Sequence, residues 1–239
     1  MLKIFKPNIG LSNQIQREKW LEEKLKGIPR KSRILDAGAG SQRYKRFCNH
    51  LTYVSQDFGA YKPEDNQAGL ISKNFEYGRL DIISDITSIP EPKESFDAIM
   101  CVEVLEHLPS PIEAIKEFYR LLKQGGTLIL TAPFCSLTHL APYHFCSGFN
   151  RYWYEKHLPE QGFQIDELAP NGNYFEFLGQ EIYRLPSLAT KYGNKRLKPW
   201  HYISMILLLR MLKNLSQASL DTSNLLCFGF HIKATKREK

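Results

Sequence analysis

The 239-residue sequence predicts an α/β fold: a mostly parallel sheet of seven strands, helices on both faces, and a helical insertion before the last strand. Three observations predict it. Short apolar runs alternate with helical spacings from residue 33 onward, the first run leads into a Gly-rich turn, and about 50 residues of helical character separate the sixth run from the seventh. Strands joined through helices run parallel, and a parallel sheet needs both faces covered.

The elements follow in order. Residues 13–26 place Ile15, Trp20, Leu21 and Leu25 at helical spacing among charges, and Gly27 and Pro29 end that helix. Arg33-Ile34-Leu35-Asp36 is the first strand, the Gly-rich turn follows, and residues 42–48 resume a helical pattern. Strand, turn and helix in this order open a Rossmann-like nucleotide-binding unit. Residues 52–57 and 80–83 are the second and third strands, and the polar stretch 62–78 between them reads as an irregular loop or short helix. Residues 96–101 form the fourth strand, 112–122 an amphipathic helix ended by Gly125-Gly126, and 127–131 the fifth strand, stopped by Pro133. A loop rich in aromatics and histidines comes next, then a sixth strand at 163–168 and a seventh at 226–232. The length suits one domain, with a core over about 30–170, a helical insertion over about 174–222 and a last strand over about 225–234.

Composition narrows the class. With 43% hydrophobic and 24% charged residues the chain has enough apolar surface to fold. No apolar run suits a secretory leader or a membrane span. The five cysteines are scattered and never form a C-x-x-C pair, so neither a zinc site nor a disulfide framework is expected, and a cytoplasmic setting fits. The net charge of +7 is uneven: from Arg184 onward 11 Lys/Arg face two acids, leaving −2 for the preceding residues. An acidic partner would therefore meet the C-terminal part.

The chemistry is concentrated in Asp36-Ala37-Gly38-Ala39-Gly40, followed 21 residues later by Asp57. Glycines let the backbone approach a ligand closely, and an acid after the second strand can accept from both ribose hydroxyls. A pyrophosphate loop would want a third glycine and no carboxylate nearby; here Gln42 holds that position and Asp36 sits at the loop's edge. S-adenosylmethionine (SAM) carries a cationic sulfonium and an ammonium and no phosphate, so a carboxylate suits it.

With those residues in place, the sequence resembles the class I SAM-dependent methyltransferases, particularly the small-molecule, type 11-like group with an E-x-L-E-H motif after the fourth strand. The likeness runs from Ile34 to about Ile165 and adds three motifs: Asp85-Ile86-Thr87-Ser88-Ile89-Pro90, Glu103-Val104-Leu105-Glu106-His107-Leu108, and Leu121 to Gly126 before the fifth strand. The resemblance implies that the Gly-rich loop holds the methionine part of SAM, Asp57 the ribose, and Asp85 the adenine amino group. The backbone N–H of Ile86 would then serve adenine N1, and Cys101, Val102 and Glu103 would face the methyl group. Glu103 and His107 share a helical turn if this stretch is helical. His107 is either a general base for an acceptor hydroxyl or a structural imidazole held by a carboxylate; His139 and His144 are rivals for the base. Their spacing matches no standard zinc arrangement, so no metal is expected.

Tyr143, Tyr152 and Trp153 suit a loop that stacks on an acceptor. The stretches 132–145, 149–154 and 170–175 are similar to bacterial methyltransferases associated with surface-glycan assembly, which implies a sugar hydroxyl as acceptor, lipid-linked or nucleotide-linked. A quinol or phenol is the small-molecule alternative. A nucleic-acid methyltransferase is disfavoured because neither an N-P-P-[YF] motif nor a catalytic Pro-Cys pair is found. A non-catalytic SAM-binding regulator stays open through Gln42. The apolar helix at 202–215 would lie in the core, in a homodimer interface, or on an anionic membrane surface, making the protein membrane-peripheral.

Overall fold

The structure is a computed structural model that describes residues 7–62, 69–70, 75–218 and 220–237. Seven strands form one sheet: β1 (Arg33–Ala37), β2 (Thr52–Asp57), β3 (Ile82–Ile83), β4 (Phe96–Val102), β5 (Leu122–Pro133), β6 (Phe163–Asn171) and β7 (Gly229–Lys236). Their order is β3-β2-β1-β4-β5-β7-β6. The pairs from β3 to β5 are parallel, and β7 runs antiparallel to β5 over seven residue pairs. The expected α/β, mostly parallel, Rossmann-like sheet is therefore present. The strand order reverses between β1 and β4, and open α/β sheets bind ligands at the carboxyl ends of such neighbours.

Five helices accompany the strands among the described residues: α1 (Asn13–Lys26), α2 (Pro111–Leu121), α3 (Arg151–Glu160), α4 (Tyr174–Gly193) and α5 (Pro199–Ala218). Helix α2 begins with Pro111 at its first turn, where the missing N–H costs nothing. It buries Ala114, Ile115, Phe118 and Leu121 completely, at about 1.5–3 kcal/mol for each large side chain. Leu21 and Leu25 of α1 join Ile34, Ala98, Met100 and Ile129 in a core cluster on the sheet.

The chain falls into two compact units. One comprises residues 18–169 and 229–239 and contains the Gly-rich loop; the other comprises residues 1–17 and 170–228. Within the second, Ile9, Leu209 and Leu212 form a small core with Phe175, Leu178, Ile182 and Tyr183.

Four local expectations are corrected. Residues 42–48 form no α-helix, only a 3-10 turn at Lys45–Phe47, because one turn's worth of apolar spacing offers too few hydrogen bonds to offset nucleation. Glu103 and His107 share no helical turn: Glu103 is left-handed (φ 56°) and the 3-10 turn spans only Leu105–His107. Tyr152, Trp153 and Tyr154 lie on α3, whose first turn Asn150 caps by accepting from Trp153 N, and not on a loop. The helix at 202–215 is buried on one side only: Leu209 and Leu212 of α5 lie in the small core, whereas Ile203, Leu207, Met211 and Leu215 are 41–60% exposed. Part of the unassigned 62–78 stretch lies outside the described residues.

Candidate active site

Strand β1 delivers the Gly-rich loop to the carboxyl edge of the sheet. Gly38 has φ 77°, and a Cβ there would come within 2.5 Å of Val104 Cγ2, so only glycine allows this loop to meet the turn after β4. Gly38 N and Ala39 N both donate to Gln56 O. Asp57 closes the loop from the end of β2: one carboxylate oxygen accepts from Gly40 N at 2.9 Å and the other from Gly59 N at 3.2 Å. Burial pushes the Asp57 carboxyl up, and these backbone donors oppose the shift.

Gln42 also adopts a left-handed conformation, φ 58°. Its Nε2 donates to Ser55 Oγ at 3.1 Å and to Arg79 O at 2.5 Å. The side chain that replaces the third glycine thus ties the loop to β2 and to the segment before β3.

A cavity of about 460 Å³ opens here. Gly38, Gly40, Gln56 and Asp57 form one wall, and Asp85, Ile86 and Thr87 another. Glu103, Val104, His107 and the Leu108-Pro109-Ser110 turn form a third. Phe58, Tyr61, Phe75, Tyr77, Tyr143 and Phe145 supply aromatic surface. Several of these rings meet edge to face, Phe58 with Tyr143 at 4.9 Å between centroids and Tyr61 with Phe75 at 5.3 Å.

Of the residues expected to hold the cofactor, Gly38, Gly40, Asp57, Asp85 and Ile86 line this one cavity. Asp36, Ala39 and Cys101 are buried and do not line it. Asp36 is buried and accepts from Tyr53 OH at 2.5 Å. Burial raises its carboxyl to about 7, Tyr53 works against the rise, and Asp57 adds to it. Cys101 is wholly buried on β4, and burial pushes its thiol well up. The Asp85 carboxylate accepts from Thr87 N and Thr87 Oγ1, the loop cap that an Asp in such a turn makes. Tyr143 reaches the cavity, whereas Tyr152 is exposed and Trp153 packs on Phe149 and His157.

Glu103 carries backbone strain at the cavity's edge. Its left-handed turn is held twice by Thr131: Glu103 N donates to Thr131 O, and Thr131 Oγ1 donates to Glu103 Oε1 at 2.9 Å.

The three histidines, widely spaced in sequence, converge. Ring centroids lie 4.6 Å apart for His107 and His139, 5.0 Å for His139 and His144, and 5.9 Å for His107 and His144. The loop after β5 is drawn over the 3-10 turn by Phe145 N and Cys146 N, which both donate to Glu106 O. His107 Nδ1 lies 2.5 Å from Tyr143 O, and burial, the first cause, holds its imidazole down to about 4, with His139 and His144 adding to the effect. An imidazole so held is neutral at pH 7 and a weak proton acceptor. Burial likewise lowers His144.

Sequence reading passed over Gln56, Phe58, Tyr61, Phe75 and Tyr77 as cavity residues. Gln56 and Phe58 flank Asp57 and were reachable from the motif; Phe75 and Tyr77 lie in a stretch without periodicity.

Comparison with known proteins follows the same outline. Residues 35–130 match the family described as "Methyltransferase domain". A ubiquinone biosynthesis O-methyltransferase of Xanthomonas campestris pv. campestris is 33% identical over 104 residues, 42% of this chain and 42% of that protein. A demethylmenaquinone methyltransferase of Chlamydia muridarum is 30% identical over 105 residues, 44% of this chain and 43% of that protein. The matched stretch thus spans less than half the length of these curated relatives. Among solved structures, Haemonchus contortus phosphoethanolamine N-methyltransferase 2 in complex with S-adenosyl-L-methionine has TM-score 0.54 at 18% identity, covering 93% of this chain and 53% of that one. The cyclase SpnF has TM-score 0.58 at 16% identity, covering 97% and 85%. At such identities the likeness is one of fold. Residues 35–130 of this chain thus match a methyltransferase domain, and the fold that holds them is the Rossmann-like fold of such enzymes.

Proposed function

We propose that the protein transfers a methyl group from SAM to an oxygen of a small-molecule acceptor, and that this acceptor is of the quinol or phenol type. The observation that carries the reading is the cavity itself: a Gly-rich loop and Asp57 on one side, and a largely apolar, aromatic lining on the other. Aromatic rings such as Phe58, Tyr143 and Phe145 suit a planar apolar ring better than a sugar, whose hydroxyls would need polar partners in the wall. The relatives named for ubiquinone and demethylmenaquinone methylation support the same class. A sugar hydroxyl, suggested by the resemblance to glycan-associated enzymes, is the rival acceptor.

In this reading, Asp57 holds the ribose hydroxyls, the loop 38–40 takes the methionine portion, and Asp85 and Ile86 receive the adenine. The sulfonium supplies the electrophile, so the protein mainly aligns the acceptor oxygen with the methyl group and excludes water. A fold shared with the cyclase SpnF does not by itself require methyl transfer. The test is incubation with SAM and a panel of catechols, hydroquinols, sugar nucleotides and reducing sugars, with products read by mass spectrometry. A gain of one methyl group on phenolic oxygens alone is expected. Methylation of sugars alone would overturn the acceptor class, and SAM binding without any product would favour a non-catalytic regulator.

A second reading concerns location. No helix among the described residues is long and apolar enough to cross a membrane. Helix α5 nonetheless exposes an i, i+4 stripe of Ile203, Leu207, Met211 and Leu215. The last turn of α4 and the segment joining it to α5 gather Lys191, Lys195, Arg196 and Lys198, with Lys191 over Tyr192 and Lys198 over Trp200 at 5.0 and 4.9 Å. An apolar stripe beside cations and aromatic rings suits the surface of an anionic membrane, where a lipid-linked or quinone-like acceptor would be met.

A further inference from the structure

We propose that Glu106, His107 and His139 bind a divalent transition-metal ion of the zinc class. The assignment stands apart from the identity of the acceptor and departs from the sequence reading, which found no metal-ligand spacing.

The argument begins with where the protons are. His107 Nδ1 lies 2.5 Å from the Tyr143 carbonyl and His139 Nδ1 lies 2.8 Å from the Leu137 carbonyl. A carbonyl can only accept, so each Nδ1 carries the hydrogen and each neutral ring presents a bare lone pair at Nε2. Both Nε2 atoms approach one carboxylate oxygen: Glu106 Oε1 is 3.7 Å from His107 Nε2 and 4.0 Å from His139 Nε2. All three donor atoms lie within 4.8 Å of one another.

Two imidazole lone pairs and a carboxylate oxygen of the buried Glu106 thus converge on one point, which is the donor set a divalent cation uses. Zinc bonds to imidazole and carboxylate are about 2.0–2.2 Å. Donors placed tetrahedrally on one ion therefore stand about 3.3–3.6 Å apart, and side-chain rotations that draw these atoms together by about an ångström bring the set onto a single centre. Backbone carbonyls holding the far nitrogen of each imidazole are also the outer-shell arrangement that fixes the tautomer of metal-binding histidines. Two imidazoles and one carboxylate suit zinc, cobalt, iron or manganese rather than calcium or magnesium. Three protein donors leave positions for other ligands, as catalytic rather than structural zinc sites do, and His107 itself belongs to the cavity wall.

His144 is placed differently. Ser136 Oγ donates its hydrogen to Ser147 O and so accepts from His144 Nε2 at 3.1 Å. The ring packs beside His139 and steadies the loop that carries it.

The test is titration of the chelator-treated full chain with Co²⁺, followed by visible ligand-field absorption and then by displacement with Zn²⁺. Wild type should bind one Co²⁺ per chain with bands that Zn²⁺ abolishes. His139→Ala, on the partly exposed loop, and Glu106→Gln, in the interior, should each bind at least about tenfold more weakly. Circular dichroism melting identifies any variant that has not folded, and His139→Ala remains decisive if the buried substitution fails. Absence of a stoichiometric cobalt spectrum in wild type, or an unchanged affinity in folded His139→Ala, would overturn the proposal.

Discussion

Single residues carry most of the electrostatic character of this site. Asp36 is the clearest case: its carboxyl, ordinarily near 3.8, is raised to about 7 by burial behind the Gly-rich loop. The folded state therefore keeps a proton between about pH 4 and 7 that the unfolded chain has released. Stability falls as pH rises through that window and levels off above it. Asp36→Asn retains an acceptor for Tyr53 but cannot ionise, so its urea-unfolding free energy should decline less between pH 5 and 8 than that of wild type. Equal slopes would show that Asp36 ionises freely in the folded protein. At this scale the sequence was most legible where chemistry is local. Gly38, Gly40 and Asp57 can be read from spacing because one turn and one strand end bring them together. The cluster of His107, His139 and His144 around Glu106 could not be so read, because it forms only when Phe145 and Cys146 dock a distant loop on the Glu106 carbonyl.

Whole elements were legible in proportion to their length and contrast. Helix α1 and strand β2 lie where their apolar spacing puts them, at 13–26 and 52–57. Strand β5 begins at Leu122 rather than Thr127: Gly125-Gly126 reads as a helix stop but here lies in an irregularity of the strand, Gly125 at φ 69°, between the Phe96–Leu122 and Ala98–Thr127 pairs. Helix α3 is harder to read, since the consecutive aromatics Tyr152, Trp153 and Tyr154 mask its period and its start signal is the side chain of Asn150. Helix α5 posed the reverse problem: its composition suggests burial, and only the structure shows the exposed stripe. That stripe makes a prediction of its own. The protein should co-sediment with phosphatidylserine-containing vesicles at low salt, less so at high salt, and Leu207→Glu should reduce the bound fraction severalfold. No binding of wild type at low salt would remove the membrane reading.

For the molecule as a whole, the order β3-β2-β1-β4-β5-β7-β6 is what gives the motifs their meaning. It sets the carboxyl ends of β1, β2 and β4 side by side, so that Gly38, Asp57 and His107 share one cavity although 69 residues separate the first from the last. The alternation of strands and helices made this architecture legible, and the apolar run at 202–215 did the same for the helical insertion beyond β6, whereas the lining by Phe75 and Tyr77 depends on packing that no local period records. The central claim is that this cavity takes a SAM-type ligand through Asp57. Its most direct measurement is calorimetric titration of the purified chain with S-adenosylhomocysteine, with NADH and Asp57→Ala as controls. The account predicts one site per chain for S-adenosylhomocysteine, none for NADH, and at least about a tenfold loss of affinity in the variant, as expected for removing a charged hydrogen-bond acceptor worth about 1.5–3 kcal/mol. Failure of S-adenosylhomocysteine to bind, or preference for NADH, would contradict it.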